Sequence, residues 1–203
     1  MAKILVAFYT TYGHTYTLAE SVAEGAKAAG ADVTLKKFPE VISDDKLKEI
    51  GAYEAQQKWA HVPDLKPDDL ADYDGILFGI PTRYGNMSSQ VASVLDRTGG
   101  LWQKGALVGK VGSVFTSTAS QHGGQETTCL GFYTFLIHMG MLISGVPYAV
   151  QKLLQNDTVM GGSPYGAATI AGGDGSRQVS DDEKEIAREQ GRIVSEYAAK
   201  LAG

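Results

Sequence analysis

The sequence predicts an α/β protein with a parallel sheet and helices on both of its faces. Apolar runs of strand length alternate with helical patterns along the chain of 203 residues. Such alternation is typical of a parallel sheet with helical crossover connections. The runs Ile76–Phe78 and Val111–Phe115 are almost entirely apolar, as expected for strands that are buried on both faces.

Each predicted element rests on its own pattern. The predicted strands lie near residues 3–9, 32–37, 74–80, 111–117 and 141–145. The predicted helices cover residues 14–29, 87–97, about 124–139 and 181–201. Gly30 is suited to end the first helix, because glycine readily adopts the left-handed conformation found there. The last helix opens with Ser180 and Glu183, which have the spacing of a capping box.

The length favours a single domain over residues 1–203, with enough chain for a full core. Two stretches interrupt the alternation: a polar segment of about 40–71, which contains Pro63 and Pro67, and a Gly-rich loop of about 155–179. Each is followed by a single core element, so neither is interpreted as a linker between domains. Long loops in a compact domain are usually functional or disordered.

Composition excludes several classes of function. The net charge of −5 provides no basic face for nucleic acid. The apolar runs are too short to span a membrane, and the N-terminus lacks a signal-peptide pattern. The single cysteine, Cys129, forms no internal disulfide, which is consistent with a cytoplasmic protein. No group of His, Cys and carboxylate residues has the spacing of a metal site.

A threonine-rich turn, the first loop (residues 10–15), connects the first strand to the first helix. The N–H groups of the first helical turn lack internal partners, and the helix dipole favours an anion there. Three threonine hydroxyls add donors, and no Lys or Arg lies in the turn. We therefore expect a phosphate of a mononucleotide-like cofactor. The alternative is an ordinary helix cap that binds nothing.

Two further polar loops follow predicted strands, the second loop (residues 81–87) and the third loop (residues 116–124). Ligands of open α/β sheets bind beyond the carboxyl ends of strands, where the strand order reverses. In the second loop, Gly85 and Asn86 tolerate left-handed geometry, so the N–H groups of 82–84 can face a ring. The second loop therefore suits a planar heterocycle with a polar edge.

Three stretches, Pro81–Met87, Thr98–Trp102 and Pro164–Arg177, resemble the flavodoxin-like NAD(P)H:quinone oxidoreductases of the WrbA family. The resemblance extends from Lys3 to Leu201. It implies a flavodoxin-like, doubly wound sheet of five parallel strands in the order 2-1-3-4-5. It also implies bound FMN, a homotetramer, and two-electron reduction of quinones by NADH or NADPH.

The resemblance also implies site residues. Tyr12 would contact the nicotinamide cofactor, and Trp102 the substrate. The third loop is bulkier at residues 119–122 than the Gly-rich loop of the family. The implied cofactor-binding residues are Thr10, Thr11, Tyr12, Gly13, His14, Thr15, Thr82, Arg83, Tyr84, Ser117, Thr118, Ala119, Ser120, Gln121, His122 and His138.

Other interpretations stay open for single residues and for the whole protein. Trp102 is also consistent with core or interface packing, and His138 with a core histidine. His14 is also consistent with a polar helix start, and Arg83 with a surface ion pair. Two other classes of function are a non-enzymatic electron carrier of the flavodoxin type and a structural or regulatory oligomer without flavin.

Overall fold

The computed structural model describes residues 1–202, and its strands form one parallel sheet. The strands are β1 Lys3–Phe8, β2 Asp32–Lys37, β3 Gly75–Pro81, β4 Val111–Thr118, β5 Leu142–Ile143 and β6 Ala168–Ile170. Five of them follow the order β2-β1-β3-β4-β5, and β6 pairs with β4. The order predicted from the sequence is confirmed. Because β1 pairs with both β2 and β3, the strand order reverses at β1.

Helices cover both faces of this sheet. They are α1 His14–Ala28, α2 Asp44–Glu49, α3 Tyr53–Gln56, α4 Ser89–Leu95, α5 Gly99–Gln103, α6 Gln125–His138 and α7 Asp181–Ala202. On one face, α1 and α7 pack on a core that includes Val6 and Leu77. On the other face, α4, α5 and α6 pack on a second core that includes Ile76 and Phe78.

The fifth strand position is occupied by two short strands. β5 pairs with Val111 and Gly112 at the start of β4, and β6 pairs with 116–118 at its end. The chain leaves the sheet after Ile143 and returns at Ala168. The sequence predicts one strand at 141–145 and does not predict β6, which lies inside the Gly-rich loop. Three residues are too few to show the alternation by which a strand is recognised.

The polar segment of 40–71 contains only short elements. These are α2, α3 and two 3-10 turns, at Gln57–Trp59 and Pro67–Asp72. Trp59 is buried and reaches the core beneath α1. No helix within residues 1–202 is long and apolar enough to cross a lipid bilayer.

Candidate functional site

A cleft of about 660 Å³ opens at the carboxyl edge of the sheet, beside the strand-order reversal at β1. All three loops predicted from the sequence contribute to it, together with parts of the two interrupting segments. Its lining residues are Thr10, Thr11, Tyr12, His14, Ile42, Ile50, Pro81, Thr82, Arg83, Ser117, Thr118, Ala119 and 171–175.

The first loop leaves several backbone donors without a partner. Gly13 has a φ of +112°, and its N–H donates to Thr10 Oγ1 at 2.9 Å. The N–H of Thr17 donates to Gly13 O, but those of 14–16 donate to no atom within residues 1–202. These three N–H groups form the positive end of the α1 dipole. The loop therefore has the donors and the field that an anion needs.

The first and third loops are joined below the cleft. Thr15 is fully buried, and its Oγ1 lies 2.9 Å from Ser117 Oγ. Thr15 therefore does not line the cleft. Of the third loop, Ser117, Thr118 and Ala119 line the cleft. The exposed side chains of 120–122 lie outside its lining.

A positive charge reaches the first loop from the second. Arg83 donates from Nη2 to Thr11 Oγ1 at 2.8 Å and from Nη1 to Thr82 O at 2.9 Å. No ion pair within residues 1–202 includes Arg83. The structure thus does not support the surface ion pair as an alternative. The sequence predicts an uncharged first loop because that loop contains no Lys or Arg. The cation reaches it from the second loop, which the local sequence does not reveal.

Tyr84 holds a strained position in the second loop. Its φ is +53°, which is uncommon for a residue other than glycine. The turn is closed by reciprocal backbone hydrogen bonds between Arg83 and Asn86. The Tyr84 side chain is fully exposed, and the residue lies outside the cleft lining.

Trp102 and His138 lie outside the cleft lining of a single chain. Trp102, on α5, is 61% exposed, and His138 ends α6 with an exposed side chain. Neither side chain is packed in the core of this chain. Their predicted contacts with substrate and cofactor stay predictions.

Two parts of the cleft were not assigned from the sequence. Ile42 and Ile50 come from the polar segment, and residues 171–175 from the Gly-rich loop. Tyr12 Oη donates to Ile50 O at 3.1 Å, which connects the first loop to the polar segment. The stretch 164–177 carries part of the family resemblance, but nothing local marks individual residues as cleft lining.

Glu40 anchors the polar segment beside the cleft. Its carboxylate accepts hydrogen bonds from Tyr9 Oη at 2.8 Å, Gln56 Nε2 at 2.7 Å and Gln90 Nε2 at 2.6 Å. The backbone N–H of Ile42 donates at 3.0 Å. Burial acts to raise the pKa of Glu40, but the donors from Gln56, Gln90 and Tyr9 outweigh it and lower the pKa. Burial raises the pKa of Tyr9, so its hydroxyl stays a donor.

The cleft contains few groups suited to other chemistry. No cluster of three His, Cys, Asp or Glu within residues 1–202 would hold a metal ion. Cys129 is buried, and burial raises the pKa of its thiol to about 12. A neutral thiol is a poor nucleophile. What the cleft offers is hydrogen-bond donors, the exposed cation of Arg83, the exposed carboxylate of Asp174 and apolar walls.

A family model described as NADPH-dependent FMN reductase matches residues 4–155. The chain belongs to the NADPH-dependent FMN reductase family. The matched part begins at the second residue of β1 and includes β2 to β5 and the first, second and third loops. Residues 171–175 of the cleft lining lie beyond it.

Relatives that are similar over nearly their whole length carry a more specific name. An NAD(P)H dehydrogenase (quinone) from Aromatoleum aromaticum is 55% identical over 200 residues, covering 98% of this chain and 97% of its own length. One from Geobacter metallireducens is 53% identical over 202 residues, covering 99% of this chain and 100% of its own length. This member of the FMN reductase family thus resembles proteins of that name from end to end.

Solved structures support the same fold. A WrbA-like flavodoxin from Agrobacterium tumefaciens has a TM-score of 0.67 at 23% identity, covering 99% of both chains. Oxidised flavodoxin 1 from Bacillus cereus has a TM-score of 0.60 at 15% identity, covering 98% of both chains. At these identities the likeness establishes the flavodoxin-like fold alone.

Proposed function

We propose that this protein is an FMN-dependent NAD(P)H dehydrogenase (quinone) of the WrbA type, which reduces quinones by two electrons with NADH or NADPH. The observation that carries the proposal is the first loop. Three unpartnered N–H groups at the start of α1 lie beside threonine hydroxyls in a cleft at the strand-order reversal. The full-length relatives named NAD(P)H dehydrogenase (quinone) support the same activity.

The residues of the cleft fit FMN by their donor chemistry. The N–H groups of 14–16, the hydroxyl of Thr10 and the nearby Arg83 suit a single phosphate. The cleft volume of about 660 Å³ lies within the about 300–1,000 Å³ of typical ligand pockets. The first loop provides one anion site and no second site for an adenylate, which favours FMN over FAD.

The remaining lining residues would hold and orient the flavin ring. Thr82 and Arg83 line one part of the cleft, although their backbone N–H groups already donate to Ser117 O and Asn86 O and are not free for a ring. Ser117 and Thr118 line the cleft from β4, the strand next to β3. FMN supplies the redox chemistry when bound, while the protein supplies position and electrostatics. Tyr12, half exposed at the mouth, is suited to contact a nicotinamide cofactor. The scheme requires no side-chain general base.

We further propose a homotetramer in which neighbouring subunits complete the cleft. Trp102 is largely exposed and outside the cleft of its own chain, as expected if it serves another subunit. The outer face of α6 exposes Leu130 and Ile137, which are 44% and 64% exposed. Apolar patches of this kind commonly mark protein interfaces. A cytoplasmic location, expected from the single cysteine, belongs to the same proposal.

Three measurements test the function. The purified protein with added FMN should show a bound-flavin visible spectrum, and mass spectrometry of the released flavin should identify FMN. The loaded protein should then oxidise NADH or NADPH with benzoquinone as acceptor. Protein that stays colourless would favour the flavin-free oligomer. A loaded protein that does not oxidise NADH or NADPH without a separate reductase would favour the electron carrier.

A further inference from the structure

Residues 171–175, the 171–175 wall, form a short excursion after β6 that is closed at its base. The N–H of Ala171 donates to Thr118 O at 2.7 Å, which ties its start to β4. The N–H of Arg177 donates to Ala171 O at 2.9 Å and closes the other end. The wall therefore depends on what holds these two ends.

The side chain of Arg177 binds three separate parts of the chain. Nη1 donates to Ile170 O at 2.7 Å and to both Glu183 oxygens at 3.0 Å. Nη2 donates to Val159 O at 2.9 Å. The planar guanidinium presents these donors in a fixed fork, which a lysine ammonium cannot reproduce. Arg177 thus joins β6 and the preceding loop to the start of α7.

Glu183 holds Arg177 from a fully buried position. The residue is 0% exposed, and its carboxylate also accepts from Gly161 N–H, Ser180 N–H and Thr169 Oγ1 at 2.8–2.9 Å. Ser180 Oγ in turn accepts from Glu183 N–H at 3.2 Å, which confirms the predicted capping box. A buried charge is tolerated where it is paired and hydrogen-bonded in this way. The carboxylate is therefore a fixed point for Arg177.

The main chain of Arg177 also reaches the first loop. His14 Nε2 lies 2.9 Å from Arg177 O. Since a carbonyl only accepts, His14 Nε2 is the donor in this contact. His14 is the first residue of α1, directly beside the unpartnered N–H groups. Arg177 thus links the 171–175 wall, the buried carboxylate of Glu183 on α7 and the first loop.

We propose that Arg177, held by Glu183, is a positioning residue that fixes the 171–175 wall against the first loop and so shapes the cofactor cleft. The inference rests on the proposed function, because the cofactor whose binding it sets is FMN. Arg177 acts through the wall and through His14, since it is not itself part of the cleft lining.

The test compares Arg177→Met with Lys152→Met. Lys152, in the 3-10 turn Gln151–Leu154 just before the Gly-rich loop, pairs through Nζ with Asp182 at 2.6 Å, so the control also removes an ion pair to the start of α7. Glu183 keeps its backbone and Thr169 donors in Arg177→Met, which favours folding. We expect the FMN dissociation constant, measured by fluorescence titration of apoprotein, to rise at least about tenfold in Arg177→Met. In Lys152→Met it should stay within about twofold of wild type.

Hydrogen exchange of the apoprotein gives a second readout that needs no flavin. The amides of 171–176 should exchange faster in Arg177→Met than in wild type. In Lys152→Met their exchange rates should equal those of wild type. An Arg177→Met protein with lowered thermal stability but wild-type FMN affinity and exchange would overturn the inference and leave the function standing. If the wild type binds no FMN, the proposed function fails. Hydrogen exchange alone then decides whether Arg177 fixes the 171–175 wall. Should Arg177→Met not fold, Arg177→Lys replaces it under the same criteria.

Discussion

Among single residues, Thr10 has the clearest role in shaping the first loop. Its Oγ1 accepts from Gly13 N–H, so its proton is free to donate towards an anion at the helix start. Thr10→Val keeps the shape of the side chain but removes the hydroxyl, and with it the acceptor for Gly13 N–H. A hydrogen bond to a charged group contributes about 1.5–3 kcal/mol. We expect the FMN dissociation constant to rise at least about tenfold, since about 1.4 kcal/mol is tenfold.

Thr10→Ser is the matched control, because it keeps the hydroxyl and loses only a methyl group. In flavin-fluorescence titration, the FMN dissociation constant of Thr10→Val apoprotein should exceed that of Thr10→Ser apoprotein by the same factor. Equal affinities for valine and serine would mean that the backbone N–H groups of 14–16 hold the phosphate without Thr10.

Glu40 should make stability depend on acid pH. Its pKa is lowered from an ordinary value of 4.5, because donors from Gln56, Gln90 and Tyr9 outweigh burial. The carboxylate therefore stabilises the fold above about pH 4.5, and this stabilisation is lost as the pH falls through the lowered pKa. We expect Glu40→Gln to destabilise the protein by about 1–3 kcal/mol at pH 7.

The difference between wild type and Glu40→Gln should shrink as the pH is lowered below 4.5. Urea unfolding at stepped pH measures it. Glu49→Gln is the control, since Glu49 is exposed and Lys46 is its one ion-pair partner among residues 1–202. A difference that stays constant down to pH 3 would contradict the role assigned to the Glu40 carboxylate.

At the scale of elements, the close packing of α1 on α7 requires glycine at the contact. A Cβ on Gly191 would lie 2.0 Å from Val22 O, and the helix backbones would have to separate. Gly191→Ala should therefore destabilise the protein by about 1–3 kcal/mol or more. In α6, a Cβ on Gly131 would meet only Asn86 Oδ1 at 3.6 Å. Gly131→Ala should stabilise by up to about 1 kcal/mol through helix propensity.

Thermal unfolding of the two variants checks this contrast. A change of 1 kcal/mol shifts the midpoint by roughly 2–4 °C in a protein of this size. The two shifts should have opposite signs. A Gly191→Ala variant as stable as wild type would show that the two helices adjust to the added methyl group.

Elements with a local pattern could be predicted from the sequence, and those held by distant contacts could not. α1 is amphipathic and follows an apolar strand, so its bounds differ from prediction by one residue. β6 has only three residues and depends on pairing with β4. Ile42 and the 171–175 wall reach the cleft because Glu40 and Glu183 hold their segments. Those carboxylates have partners up to 50 residues away, which no local spacing reveals.

At the scale of the whole molecule, α6 is apolar on more than one side. Its inner face is buried at Cys129, Phe132 and Leu136, but Leu130 and Ile137 on the outer face remain exposed. A helix that is hydrophobic all round is normally buried. A second copy of the chain would cover the outer face, which agrees with the proposed tetramer and places the end of α6, at His138, near an interface.

Trp102 tests whether assembly and catalysis are connected. If a neighbouring subunit uses this ring as a wall of its cleft, Trp102→Ala removes a stacking contribution of about 0.5–1.5 kcal/mol beyond the buried area. We expect kcat/KM for benzoquinone to fall about two- to tenfold. FMN affinity should stay within about twofold of wild type, since the first loop is intact. Trp102→Phe keeps an aromatic ring and should retain most of the turnover.

Light scattering of the same samples completes the test, because a shared cleft requires an oligomer. The wild type should be a tetramer that exchanges with dimers on dilution, and turnover per chain should fall as the tetramer dissociates. A fully active monomer would refute the shared cleft. Trp102→Ala with wild-type quinone kinetics would do the same, and the exposed ring would then belong to an interface without a role in substrate binding.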